Sequence, residues 1–113
     1  MRAYRLKTYL WVQIQQRYCM HNNIPIYIVR KGEINAGAVI MKINNMDGKC
    51  RIFSQINTSK GEAAWPSWSE NGQPVLETEA DAYISKQMDV DPDIWVIEIE
   101  DAHGHFELIG AVV

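Results

Sequence analysis

The chain has 113 residues, 47% of them hydrophobic and 22% charged, with a net charge of −3. That is one domain's worth of sequence: too short for two independent cores, too apolar to stay disordered, and without the ~20-residue apolar run of a membrane helix. Cys19 and Cys50 are too few for a disulfide framework, and no apolar leader follows the basic start, so a soluble, cytoplasmic single domain spanning 1–113 is expected.

The net charge conceals a division. Residues 1–60 hold ten of the eleven Lys/Arg and two acids; residues 61–113 hold Lys86 alone against twelve acids. A basic half can attract nucleic acid. A small domain, however, must interleave its halves around one core, so acidic and basic strands are expected side by side.

Residues 7–21 are expected to form a helix, with Leu6, Leu10, Ile14 and Tyr18 four apart, Trp11 beside them, and Asn22-Asn23 and Pro25 ending it. Residues 24–31 are β-branched and aromatic and read as a strand, which Pro25 confines to an edge or to a strand entry. The clearest local signal is a hairpin of residues 37–44 and 49–55 around Asp47-Gly48, with a type I′ turn. Pairing Met46 with Lys49 sets Ile43 against Ile52 and Asn44 against Arg51. That register makes one face apolar (Val39, Met41, Ile43, Cys50, Ile52) and the other mostly basic (Lys42, Asn44, Lys49, Arg51, Phe53).

Residues 56–75 are polar and turn-rich and read as a flexible loop carrying Trp65 and Trp68. Residues 78–88 read as a second helix, with Thr78 and Asp81 placed as a loose capping box and Leu76, Ala80, Tyr83, Ile84 and Met88 as its buried stripe. After the turn Asp91-Pro92-Asp93, residues 94–100 form a strand whose acids Glu98 and Glu100 suit the basic hairpin as neighbours, and residues 105–113 can return as a last strand. The order α-β-β-β-α-β-(β) implies an α+β fold: an antiparallel or mixed sheet of about four to five strands with two helices packed on it.

Several strings carry a family likeness: Arg5-Leu6-Lys7-Thr8 with Trp11-Val12, Ala36-Gly37-Ala38-Val39, the Asp47-Gly48 turn, and above all the run from Asp91-Pro92-Asp93-Ile94-Trp95 through Glu100-Asp101. The chain resembles the bacterial domain-of-unknown-function family 1491. That resemblance implies a single small cytosolic domain and supplies no catalytic residue. It is absent over residues 54–76, and Gly104 stands before His105-Phe106 where the family often carries an arginine.

Candidate chemistry is sparse. His103-Gly104-His105 could offer two imidazoles to zinc or iron, as in a metal-dependent enzyme, but Gly104 suggests a turn and no third ligand is fixed nearby. Asp89, Asp91, Asp93 and Glu100 match the spacing of a calcium loop except at its obligatory glycine, where Ile94 stands. The cysteines read as buried and structural, and no nucleophile elbow, phosphate loop or dinucleotide fingerprint is present, so the reading leans away from an enzyme and implies no cofactor. Arg30, Lys42, Lys49, Arg51 and Phe53 could form a basic, aromatic sheet face for nucleic acid. Trp65 and Trp68 could cover the core or anchor a protein partner. The sequence best fits a non-enzymatic binding or accessory module that contacts a protein, or a second copy of itself, through Trp65, Trp68, Arg51 and Phe53. Nucleic-acid binding is the alternative, a metal-dependent enzyme the third reading, and any small-molecule substrate is open.

Overall fold

A computed structural model of the chain describes residues 7–35, 37–54, 56–57, 63–65, 67–69, 72–106 and 111–112, with 56–57, 63–65 and 111–112 described in backbone only. The elements are α1 (Thr8–His21), β1 (Ile26–Arg30), β2 (Val39–Asn44), β3 (Lys49–Ser54), β4 (Ile56–Asn57), β5 (Ala63–Trp65), β6 (Val75–Leu76), α2 (Glu77–Val90), β7 (Trp95–Glu100) and β8 (Ala111–Val112). Five strands make one mixed sheet in the order β1-β7-β2-β3-β6, and β4, β5 and β8 make a small second sheet. The fold is α+β, two helices on a five-stranded mixed sheet. Among the described residues, no helix is long and apolar enough to cross a membrane.

Strand β7 sits inside the sheet, antiparallel to β1 and parallel to β2. Both its faces are covered near its start, which is why Ile94 to Ile97 is continuously apolar rather than alternating. On one side Met41, Ile43, Phe53, Trp95, Ile97 and Ile99 pack with Trp11, Val12 and Cys19 of α1. On the other, Ile40, Cys50, Ile52 and Val96 pack with Ala80 and Ile84 of α2. The loop before β2 ties α1 to this frame. Thr8 and Tyr9 donate their backbone N–H groups to the carbonyls of Asn35 and Ile34, satisfying two of the open donors of the helix start, and Thr8 Oγ1 donates to Gly37 O at 2.9 Å. Gly32 lies against the start of β7 so closely that a Cβ there would stand 2.2 Å from Asp93 O.

Three local expectations are corrected. The row Leu10, Ile14 is not the buried face of α1: these side chains are 37% and 43% exposed, while Thr8, Trp11, Val12, Gln15 and Cys19 face inward. Two of those five are polar, so the inward face carries a weaker hydrophobic signal than the aliphatic row beside it. Leu6 lies outside the described residues.

The hairpin is shifted by one residue. Ile43 opposes Arg51 and Lys42 opposes Ile52, because the connection is a three-residue loop, Met46-Asp47-Gly48, closed by Asn45 N–H to Lys49 O at 3.0 Å. The positive φ values fall on Met46 and Gly48 rather than on Asp47-Gly48. Asn44 Oδ1, accepting from Met46 N–H, and Asp47 Oδ1, accepting from Lys49 N–H, hold this loop. One slip exchanges the faces of a strand: Arg51 and Phe53 lie with Met41 and Ile43, and Lys42 and Asn44 with Cys50 and Ile52.

Helix α2 starts one residue before Thr78, with Leu76 as its cap residue and no side-chain cap; Asp81 is engaged elsewhere. Most of the expected loop 56–75 lies outside the described residues; the part described carries β4, β5 and the first residue of β6.

Candidate functional site

Lys42 stands mid-β2 on the α2 side, 5% exposed. Its Nζ lies 2.7 Å from Glu77 Oε2, 2.7 Å from Asp81 Oδ1 and 3.4 Å from Glu98 Oε1. Asn44, two residues on and therefore on the same face, donates from Nδ2 to Glu77 Oε2 and Glu98 Oε2, both at 3.2 Å. Three separate rules bring these groups together. Glu77 and Asp81 are four apart on one helix face, Glu98 is the register partner of Lys42 in the parallel β2–β7 pair, and Asn44 follows the strand period. Burial by itself would lower the Lys42 pKa. The hydrogen bonds to Asp81 and Glu77 and the charge of Glu98 outweigh it and hold the ammonium above the ordinary lysine range. Such a group does not become the free amine that a nucleophilic or general-base lysine requires. Its role is to clamp α2 to the middle of the sheet.

The residues singled out in the sequence disperse. Arg51 holds its guanidinium 5.7 Å from the centroid of the Phe53 ring, and Phe53 is 3% exposed. Both lie on the face opposite Lys42. Arg30 donates to Met88 O and Pro92 O, each at 3.0 Å, closing the carbonyl end of α2. Lys49 is exposed beside the hairpin loop. The five residues of the nucleic-acid alternative therefore do not share one surface.

Trp68 donates its backbone N–H to Ile52 O and stacks on Tyr83 of α2, with ring centroids 4.6 Å apart and 19° between planes. The Trp65 side chain lies outside the described residues. His103 and His105 are exposed, their rings 5.6 Å apart, in a turn held by buried Asp101, which accepts the N–H groups of His105 and Phe106. Among the described residues, no three His, Cys, Asp or Glu are grouped to hold a metal ion. Cys19 and Cys50 are fully buried, and burial pushes both thiols up to about 11, with Asp101 adding to the effect at Cys19. They stay protonated and unreactive at neutral pH.

The surface that sequence reasoning passed over is β1. It is an edge of the five-stranded sheet, and among the described residues no strand pairs with its outer side. Tyr27, Ile28 and Val29 are 51%, 40% and 54% exposed, three consecutive large apolar side chains on one short strand. The ends of this edge are guarded by devices that discourage indiscriminate pairing: Pro25 before it, a register shift between Ile28 and Arg30, and the cations Arg30 and Lys31. One signal pointed to it: Pro25, which fits an edge or a strand entry.

Comparison with known proteins supports the same architecture. Residues 6–108 match the family model DUF1491, described as a protein of unknown function. A crystal structure of a DUF1491 family protein from Caulobacter crescentus is 34% identical with a TM-score of 0.83, covering 96% of this chain and all of that one. An NMR structure of a DUF1491 family protein from the same organism is 33% identical with a TM-score of 0.80, covering 98% and 99%. A solution structure of a protein from A. tumefaciens, 23% identical with a TM-score of 0.73 over 93% and 90% of the two chains, shares the fold. No curated protein matches the sequence.

Proposed function

Because the chain belongs to the DUF1491 family of proteins of unknown function, no activity comes with its fold, and we propose from its own surface that it is a non-enzymatic module that binds protein in extended conformation along the edge of β1. The observation that carries this reading is the edge itself: among the described residues no strand pairs with its outer side, beside three exposed apolar side chains, Tyr27, Ile28 and Val29. An extended segment added there satisfies main-chain donors and acceptors and covers the side chains in one step. The tryptophan loop is not needed for it, since Trp68 is stacked on Tyr83 and Phe53 is in the core. The chemistry of the remaining groups agrees: the buried lysine is clamped in its charged form and the thiols are held protonated.

A displayed library of random peptides, selected on the parent protein, tests this. Selected sequences should lose binding to the Val29→Lys variant, whose added charge opposes strand addition, while its urea midpoint stays close to that of the parent. Peptides that bind Val29→Lys as well as the parent would remove β1 as the site.

A further inference from the structure

We infer that the extended partner of β1 carries an arginine at the position facing Tyr27, with its guanidinium over the Tyr27 ring and against the Glu100 carboxylate. The inference rests on the edge-binding reading above and adds the chemistry of the occupant. Tyr27 is the register partner of Glu98 in the antiparallel β1–β7 pair, and Glu100, two residues on, lies on the same side of the sheet. The Tyr27 hydroxyl donates to Glu100 Oε1 at 3.5 Å. That side is rich in negative charge: Glu77, Asp81 and Glu98 already share the single ammonium of Lys42, and among the described residues no cation pairs with Glu100. Of these four carboxylates, Glu100 is the one that meets a side chain of the edge strand. The cations of β1 are engaged elsewhere or face away. Arg30 is turned onto the carbonyls of Met88 and Pro92, and Lys31 falls on the other side of the sheet by strand alternation. The C-terminal end of β1 mixes these two cations with Glu33, Asp91 and Asp93 and so selects no sign.

An added strand sets a residue opposite Tyr27 with the two Cβ atoms about 5 Å apart, on the side of the sheet that holds Glu100. The Tyr27 side chain is half exposed, so its ring is open to such a neighbour. The ring already reaches toward Glu100, and a long side chain laid along it arrives at the same carboxylate. Arginine fits both halves of this contact: its planar guanidinium stacks on an aromatic face and pairs as a fork with a carboxylate, and it is less strongly hydrated than an ammonium. The residues beside that arginine face the other side of the sheet, where Ile28, the register partner of Ile97, is 40% exposed. Apolar side chains suit them. The partner is therefore a strand in which a basic residue alternates with branched aliphatic ones.

Sequencing the peptides that the displayed library yields on the parent protein is the first readout: arginine should recur at one position, with aliphatic residues beside it. The most frequent sequence is then synthesised with a fluorescein label and titrated by anisotropy against the parent, Glu100→Gln and Glu100→Lys, each checked by its urea midpoint. Glu100→Gln keeps the side-chain shape and should weaken binding about two- to fivefold, and Glu100→Lys about tenfold or more. The same peptide with glutamate in place of its arginine should bind the parent about tenfold or more weakly and regain affinity on Glu100→Lys. Selected peptides without a basic preference, or an affinity that Glu100→Gln leaves unmoved, overturn the arginine contact; the edge-binding reading then stands if Val29→Lys still abolishes binding. A library that yields no binder, or binders that Val29→Lys retains, overturns both.

Discussion

Lys42 and Glu98 face each other across the parallel β2–β7 pair, Nζ 3.4 Å from Oε1, and join the two halves of opposite charge at the middle of the sheet. Removing one member of a buried ion pair leaves the rest uncompensated and typically costs 3–5 kcal/mol. Glu77 and Asp81 are more than a third exposed, which tempers that figure. Lys42→Met should destabilise the fold by roughly 2–4 kcal/mol in urea unfolding at pH 7. Adding Glu98→Gln should recover part of the loss by relieving the repulsion among the remaining carboxylates. A double variant no better than the single would mean that lost packing, not charge, sets the cost.

The two thiols make a pH prediction whose sign is fixed by their environment. Each has its folded pKa raised from 9.0 to about 11, burial being the first cause in both. A raised folded value means that the unfolded chain releases its proton first. The thiol contribution to stability is therefore intact below pH 9 and is lost as the pH climbs toward about 11. A Cys19→Ala/Cys50→Ala variant, less stable at pH 7, should lose stability less steeply over that interval, as urea midpoints at both ends will show. Iodoacetamide should modify the parent only after unfolding.

Gln15 is fully buried on α1, and among the described residues neither its Oε1 nor its Nε2 has a hydrogen-bond partner. An unmet buried amide costs about 1–3 kcal/mol. Methionine fills nearly the same volume without polar demand, so Gln15→Met should raise stability by about 1 kcal/mol, read as a higher urea midpoint at unchanged slope. A lower midpoint would show that the amide is satisfied in solution.

Much of this fold is written locally. Both helices, the edge or entry position that Pro25 fits, the hairpin and the apolar strand after Asp93 can be read from propensity and period, and the acidic strand does lie beside the basic hairpin. What could not be read depends on single-residue phase. A three-residue turn in place of a two-residue one moves Lys42 and Arg51 to opposite sides of the sheet, which dissolves the basic face inferred from composition. The inward face of α1 is disguised by Thr8 and Gln15, whose burial follows from the loop that meets the helix start and not from their own chemistry. The lysine clamp is long-range: Lys42 is 35 residues from Glu77 and 39 from Asp81, and no local pattern announces such a meeting.

The position of β7 governs when this protein can fold as it is synthesised. The strand joining β1 to the rest of the sheet is made after all four of its companions, so until Glu100 has emerged β1 has no partner in its own sheet and β2 lacks one side. Both open edges are then exposed at once, on a nascent chain that already carries Tyr27, Ile28 and Val29. The sheet is completed by insertion of a late strand between two early ones, which ties completion of the sheet to late synthesis and leaves any chain ending before Trp95 with the inner sides of β1 and β2 open in addition to the outer edges of the sheet.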